Sequence, residues 1–179
     1  MSYTRMDTAR KAAISLKEAL ADNPKLNLWV HGHTADGDDD WHSDKGSTNL
    51  TEYWGPSMKD RPTAMGGMKA RFENRDGTAI YASAMKVKKE SQQPNSNKLM
   101  IVLSDGHPAA WCYGGYEGYA HVRKVVTHLE SQGWNIIQVG IGGIRPEIQG
   151  KMFTNHIFID NIDELANKIG KIIRRVIKV

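Results

Sequence analysis

KLMIVLSDGHP, running from Lys98 to Pro108, opens with five consecutive apolar residues, Leu99 to Leu103, and no polar alternation. A run of that kind predicts a strand buried on both faces, as in a parallel sheet with helices above and below. It stops abruptly at Ser104-Asp105-Gly106, so a hydroxyl and a carboxylate stand where the strand gives out and a glycine turns the backbone away. In open α/β sheets, ligands bind beyond the carboxyl ends of the strands. Asp105 is therefore the first candidate ligand-facing residue, and a hard cation is the natural partner of its carboxylate.

Downstream, HPAAWCYGGYEGYA is rich in glycine and aromatic residues and falls on the same presumed ligand face. A helix is predicted from Tyr116 to Gln132, with Tyr119, Val122, Val126 and Leu129 inward and Gly133 as its stop. Trp134 to Ile141 reads as the next strand. Gly140-Ile141-Gly142-Gly143 is not a dinucleotide fingerprint, because Arg145 takes the last glycine's place and Pro146 follows. His156 to Asp160 reads as a further strand. A last helix is expected from Ile162, with Asn161 and Glu164 as a capping pair and Ile162, Leu165, Ile169, Ile172 and Val176 on its apolar stripe.

Upstream, Met6, Ala9, Ala13, Leu16 and Leu20 recur at helical spacing and predict a helix over 4–22, followed by a strand from Leu26 to His33. The polar stretch 34–62 is expected to be a surface insertion held down by Trp41, Tyr53 and Trp54, or else an interaction surface. Asp36, Asp38 and Asp40 alternate like calcium-loop ligands, but Trp41 and Ser47 stand where that loop needs glycine and glutamate. His31 and His33 share a strand face, which is not the spacing of a helical zinc pair. A short helical piece over 65–72 then leads to Asn74-Arg75-Asp76-Gly77-Thr78-Ala79. There Asp76-Gly77 is expected to turn and cap a helix from Thr78 to Glu90.

Strands alternating with helices predict an α/β fold: a doubly wound, mainly parallel sheet with helices on both faces. The 179 residues suffice for one domain over 1–179 without staples. A single cysteine, Cys112, excludes an internal disulfide framework and fits a reducing compartment. Arg5, Asp7, Arg10 and Lys11 interrupt any apolar leader, and no run reaches membrane-spanning length, so a cytoplasmic protein is expected. The net charge of +4 is mild, and Lys168, Lys171, Arg174, Arg175 and Lys178 gather at the end of the last helix, where they complement its dipole. Nucleic acid is not the expected partner.

The apolar strand closed by Ser104-Asp105-Gly106, the Asn74-x-Asp76-Gly77-x-Ala79 loop ahead of it, and the later strand ending Gly-Ile-Gly resemble the von Willebrand factor A (vWA) family. Among its branches the vWA subunit of the aerobic cobaltochelatase is the most similar. The resemblance implies a Rossmann-like sheet and a metal-ion-dependent adhesion site for Mg²⁺ or Mn²⁺. Asp105 and Ser104 would be metal ligands from the strand end, with Asp76, or Thr78 in its stead, from the loop. It also implies an AAA+ ATPase as the partner; the candidate partner contacts are His107, Trp111 and Tyr113 near the strand end and Trp41 and Trp54 in the 34–62 stretch. Members of the family open with a mid-sheet strand ending Asp-x-Ser-x-Ser. No such strand stands in 1–179, and it is expected upstream of residue 1.

Two other classes are compatible with the residues. One is a magnesium-dependent phosphoryl-transfer enzyme using Asp105, with His107 as the nearby base. The other is a metal-free interaction domain that uses the 34–62 stretch.

Overall fold

The computed structural model describes residues 3–35, 46–58, 63–91, 93, 96–142, 145–159 and 168–171. In chain order, α1 (Tyr3–Leu20) leads to β1 (Val30–Ala35) and β2 (Thr48–Trp54), then α2 (Asp76–Glu90) and β3 (Lys98–Ser104). A two-residue hairpin pair, β4 (Ala109–Ala110) and β5 (Tyr113–Gly114), precedes α3 (Gly115–Ser131) and β6 (Trp134–Ile141). The short α4 (Pro146–Met152) and β7 (Asn155–Ile159) follow.

The fold is α/β. Strands β3, β6 and β7 form a parallel sheet in that order, with Lys98 opposite Trp134 and Ile137 opposite Asn155. Helices cover both faces. Val102 and Met100 point into a core with Ile80 and Ala84 of α2 and Val122, Val126 and Leu129 of α3. Their neighbours Ile101 and Leu103 point the other way, into a core with Ala12 and Leu16 of α1, Val139 and Ile159. The period-two alternation of the strand thus feeds two apolar layers, which is why the sequence shows no polar alternation. Burying a side chain such as Leu129 contributes about 1.5–3 kcal/mol.

Strand β6 is the best-buried strand of this sheet, with only Asn135 exposed. Strand β3 is mostly half-buried, although its sequence is as apolar. It is an edge strand among the described residues, because nothing pairs with the side away from β6.

Several expectations are corrected. The strand predicted from Leu26 begins at Val30, and among the described residues it joins no parallel sheet but pairs antiparallel with β2. The 34–62 stretch is accordingly not one surface insertion, since Thr48–Trp54 is a half-buried strand. Its alternating Asn49 and Thr51 face solvent, and Trp54 packs into a core with Ala13, Met65 and Met68. The helical piece over 65–72 shrinks to a 3₁₀ turn over Ala64–Gly67, where two glycines disfavour a longer helix. Helix α2 starts at Asp76 itself, so Asp76 and Gly77 are its first turn rather than a turn before it. As expected, no long helix follows the glycine-rich strand end: Pro146 opens only the seven-residue α4. Trp41, Asp36, Asp38, Asp40 and the Asn161–Glu164 capping pair lie outside the described residues, as do Ile162, Leu165, Ile172 and Val176. Ile169 is buried against α1 and the sheet, as its place on the stripe predicts.

Candidate functional site

Three chain segments meet beyond the carboxyl end of β3. The strip Glu73–Asn74 joins them: Ala35, at the end of β1, donates its N–H to the Glu73 carbonyl at 2.8 Å. Asn74 exchanges backbone bonds of 2.8 and 3.1 Å with Ala109 of the β4–β5 hairpin. The Asn74 side-chain amide then donates to the Asp76 carboxylate at 2.9 Å and to the His107 carbonyl at 3.0 Å, clamping the two loops together.

Asp76 is buried, 6 % exposed, and also contacts His33 Nε2 at 3.1 Å through Oδ1. Ser104 is buried, and its hydroxyl accepts the Gly106 N–H at 3.0 Å. That bond needs the backbone to reverse at once, which Gly106 permits with φ +117°. Asp105 faces Arg5 of α1, with Nη1 3.5 Å from Oδ2. Asp76, Ser104 and Asp105 line one cavity of about 680 Å³, together with Asn74 and His33. Thr78, in the first turn of α2, is exposed and does not line it.

The aromatic candidates divide. Trp111 is 56 % exposed at the hairpin tip, beside Cys112, which takes φ +50°. His107 is exposed and engages the Tyr119 hydroxyl through Nδ1 at 2.7 Å, a contact that ties down the base of the phosphoryl-transfer alternative. Tyr113 is turned inward, contrary to a partner-facing role. Its hydroxyl accepts the Gly77 N–H at 3.1 Å and meets His121 Nδ1 at 2.8 Å. Burial pushes its phenol up to about 12. Trp54 is likewise removed from the surface, 7 % exposed, with Lys17 over its ring.

One pairing has no sequence signal. Ser83 Oγ of α2 lies 2.6 Å from His31 Nδ1, although no Ser–His pairing stands out in the sequence. Burial holds the His31 imidazole below its ordinary range, opposed by the nearby Glu52 carboxylate. His31 Nε2 is 3.6 Å from Glu52, beyond a hydrogen bond, while Lys86 Nζ meets the same carboxylate at 2.9 Å. The trio therefore lacks the short carboxylate–imidazole bond that orients a catalytic base, and it ties α2 to the β1–β2 ribbon.

As a cation site, Asp105, Asp76 and Ser104 offer hard oxygen donors. Magnesium commonly takes one or two carboxylates and keeps water on its other positions, so the donor chemistry fits. The donor number is small: among the described residues no group of three or more His, Cys, Asp or Glu side chains converges as a metal site. Arg5 stands against Asp105, and a cation there would displace it.

No family model matches the chain. It is similar to an uncharacterized protein of Bacillus subtilis strain 168, YojO, with 24% identity over an alignment of 187 positions. The alignment takes in 98% of this chain and 28% of the relative, so the chain spans little more than a quarter of the relative's length. No helix among the described residues is long and apolar enough to cross a membrane.

Proposed function

We propose that this chain is a vWA-type protein-binding module, acting in the cytoplasm with an AAA+ ATPase. Its nearest functional parallel would be the cobaltochelatase vWA subunit of cobalamin biosynthesis. The observation that carries this reading is the clamp made by Asn74, which holds the Asp76 loop against the Ser104–Asp105 loop on one cavity rim. A strand-end carboxylate and a loop carboxylate on one rim are what metal-dependent docking requires.

Asp105, Asp76 and the Ser104 hydroxyl would hold Mg²⁺ or Mn²⁺. When bound, that ion supplies an open coordination position to an Asp or Glu of the partner. Arg5 neutralises Asp105 meanwhile, and His33 and Asn74 hold Asp76 in place. Exposed Trp111, on the β4–β5 hairpin that Ala109 ties to Asn74, would supply an apolar contact to the partner.

Calorimetric titration of MgCl₂ and MnCl₂ into the protein tests the site, with Asp105→Asn and Asp76→Asn alongside. Binding weakened at least tenfold by each substitution is expected. Capture from a native lysate, with and without EDTA, should then retain an AAA+ ATPase identified by mass spectrometry only when the cation is present. Capture unaffected by EDTA would favour the metal-free rival. Equal cation binding by Asp105→Asn would remove the metal site.

A further inference from the structure

Helix α2 begins without a cap of its own: Arg75 stands at its N-cap and makes no side-chain capping bond. The N–H groups of a first turn have no partner inside the helix and require one from outside. For Gly77 that partner comes from the β4–β5 hairpin, thirty-six residues on, where the Tyr113 hydroxyl accepts the Gly77 N–H at 3.1 Å. The same hydroxyl lies 2.8 Å from Nδ1 of His121 on α3, and the two rings meet edge to face at 5.5 Å. A Cβ at position 77 would lie 2.6 Å from His121 Nδ1 and 2.8 Å from the Tyr113 oxygen, so the junction closes only around a glycine. Two helices and the hairpin are thus joined at one phenol.

Donor count fixes the roles at this junction. A phenol has one proton to give. Because the Gly77 N–H takes one side of the Tyr113 oxygen, the hydroxyl proton points to His121, and Nδ1 accepts it. His121 is therefore the neutral tautomer that carries its ring proton on Nε2. Protonation places a hydrogen on Nδ1 as well, and two donors then face each other across 2.8 Å. The surrounding groups do not offset this. Burial, and then Lys124 one turn on along α3, hold the His121 imidazole below its ordinary range. The Arg75 guanidinium lies 5.3 Å from the centre of the Tyr113 ring, adding a second cation. On the α2 side, the Asp76 carboxylate already accepts from the Asn74 amide and contacts His33. Glu117, one turn earlier on α3, is exposed.

We propose that the Tyr113–His121 contact is an acid-released latch: with His121 neutral the hairpin caps α2 and is held to α3, and with His121 protonated the hairpin comes free. The folded state resists protonation of His121 more than the unfolded chain does. The latch is therefore complete above pH 6.5, the ordinary histidine value, and is lost as pH falls below it. What the latch holds reaches beyond the junction. Ala109 of the hairpin exchanges backbone bonds with Asn74, whose side chain bridges Asp76 and the His107 carbonyl. Trp111, 56 % exposed, rides on the same hairpin. Release would loosen the Asn74 clamp and the exposed tryptophan together, while the parallel sheet stays as it is. The inference does not depend on the metal reading, since no cation takes part in it.

The test is NMR on the whole chain between pH 7.5 and pH 5, following the His121 ring resonances and the exchange of the Gly77 and 109–114 amides, corrected for the intrinsic effect of pH. Exchange at these amides should be at least tenfold faster at pH 5, with a midpoint that coincides with the titration of His121 itself. His121→Asn keeps a neutral acceptor where Nδ1 stands, and it should protect the hairpin equally at both pH values. Tyr113→Phe should leave the Gly77 and hairpin amides fast at both. Wild-type protection that does not change with pH would overturn the inference. So would loosening that persists in His121→Asn. Should the variants fail to fold, the wild-type midpoints decide alone. Loosening that follows the titration of His31, His33 or His107 instead of His121 would overturn the latch.

Discussion

The Arg5 guanidinium meets the Asp105 carboxylate at 3.5 Å, joining the first turn of α1 to the end of β3 across one hundred residues of sequence. The pair is partly solvated, with Arg5 about half exposed, so it contributes no more than about 1 kcal/mol to stability. Its electrostatic effect on a cation is larger, because Arg5 occupies the carboxylate that the cation needs. Arg5→Gln should leave the urea midpoint nearly unchanged and tighten Mg²⁺ binding several-fold by calorimetry. Weaker binding in that variant would count against Asp105 as a ligand.

Tyr113 joins the hairpin to the start of α2 and to α3. Tyr113→Phe removes the acceptor of the Gly77 N–H and the partner of His121, which should cost about 1–3 kcal/mol in chemical denaturation. The raised phenol gives a signed pH effect as well. Its contribution is complete below pH 10, the ordinary tyrosine value, and is lost as pH rises through about 12. Phenolate absorbance should therefore show one tyrosine ionising late, and Tyr113→Phe should remove it.

His31 works in the opposite direction. Burial lowers its value below the ordinary 6.5, so the folded state resists protonation more than the unfolded chain does. Its contribution is complete above pH 6.5 and is lost as pH falls below that. His31→Gln should flatten the stability profile between pH 7 and pH 5, measured by urea unfolding at each pH. A parallel profile would mean that His31 does not titrate as its burial requires.

The two described tryptophans put forward as partner contacts should separate cleanly. Trp54→Ala opens a void beside Ala13, Met65 and Met68 and should cost about 3–5 kcal/mol. Trp111→Ala removes an exposed ring and should shift stability by no more than about 0.5 kcal/mol while weakening ATPase capture. Thermal melts and capture assays on both variants check this.

Strands β3 and β6 are legible in the sequence almost to the residue, because uninterrupted apolar runs with polar or glycine ends leave few alternatives. Strand β2 is not, since Thr48, Asn49, Thr51 and Glu52 make it look like loop until β1 lies beside it. The candidate site divides in the same way. A carboxylate after an apolar strand and another at a helix start can each be read locally, as Asp105 and Asp76 are. That they share a rim depends on Asn74 bonding to two loops at once, and that Arg5 guards one of them depends on where α1 lands. Such contacts join distant residues and leave no periodic trace. The Ser83–His31 pair is hidden for the same reason.

Cys112 sits exposed at the hairpin tip, next to Trp111, whose carbonyl accepts from the Arg75 guanidinium. It is the sole cysteine of the chain. A thiol-reactive fluorophore will therefore attach at a single point, on the loop cluster that carries Asp76 and Asp105, without any engineered substitution. Its emission and anisotropy make the native protein its own reporter of what arrives at that rim.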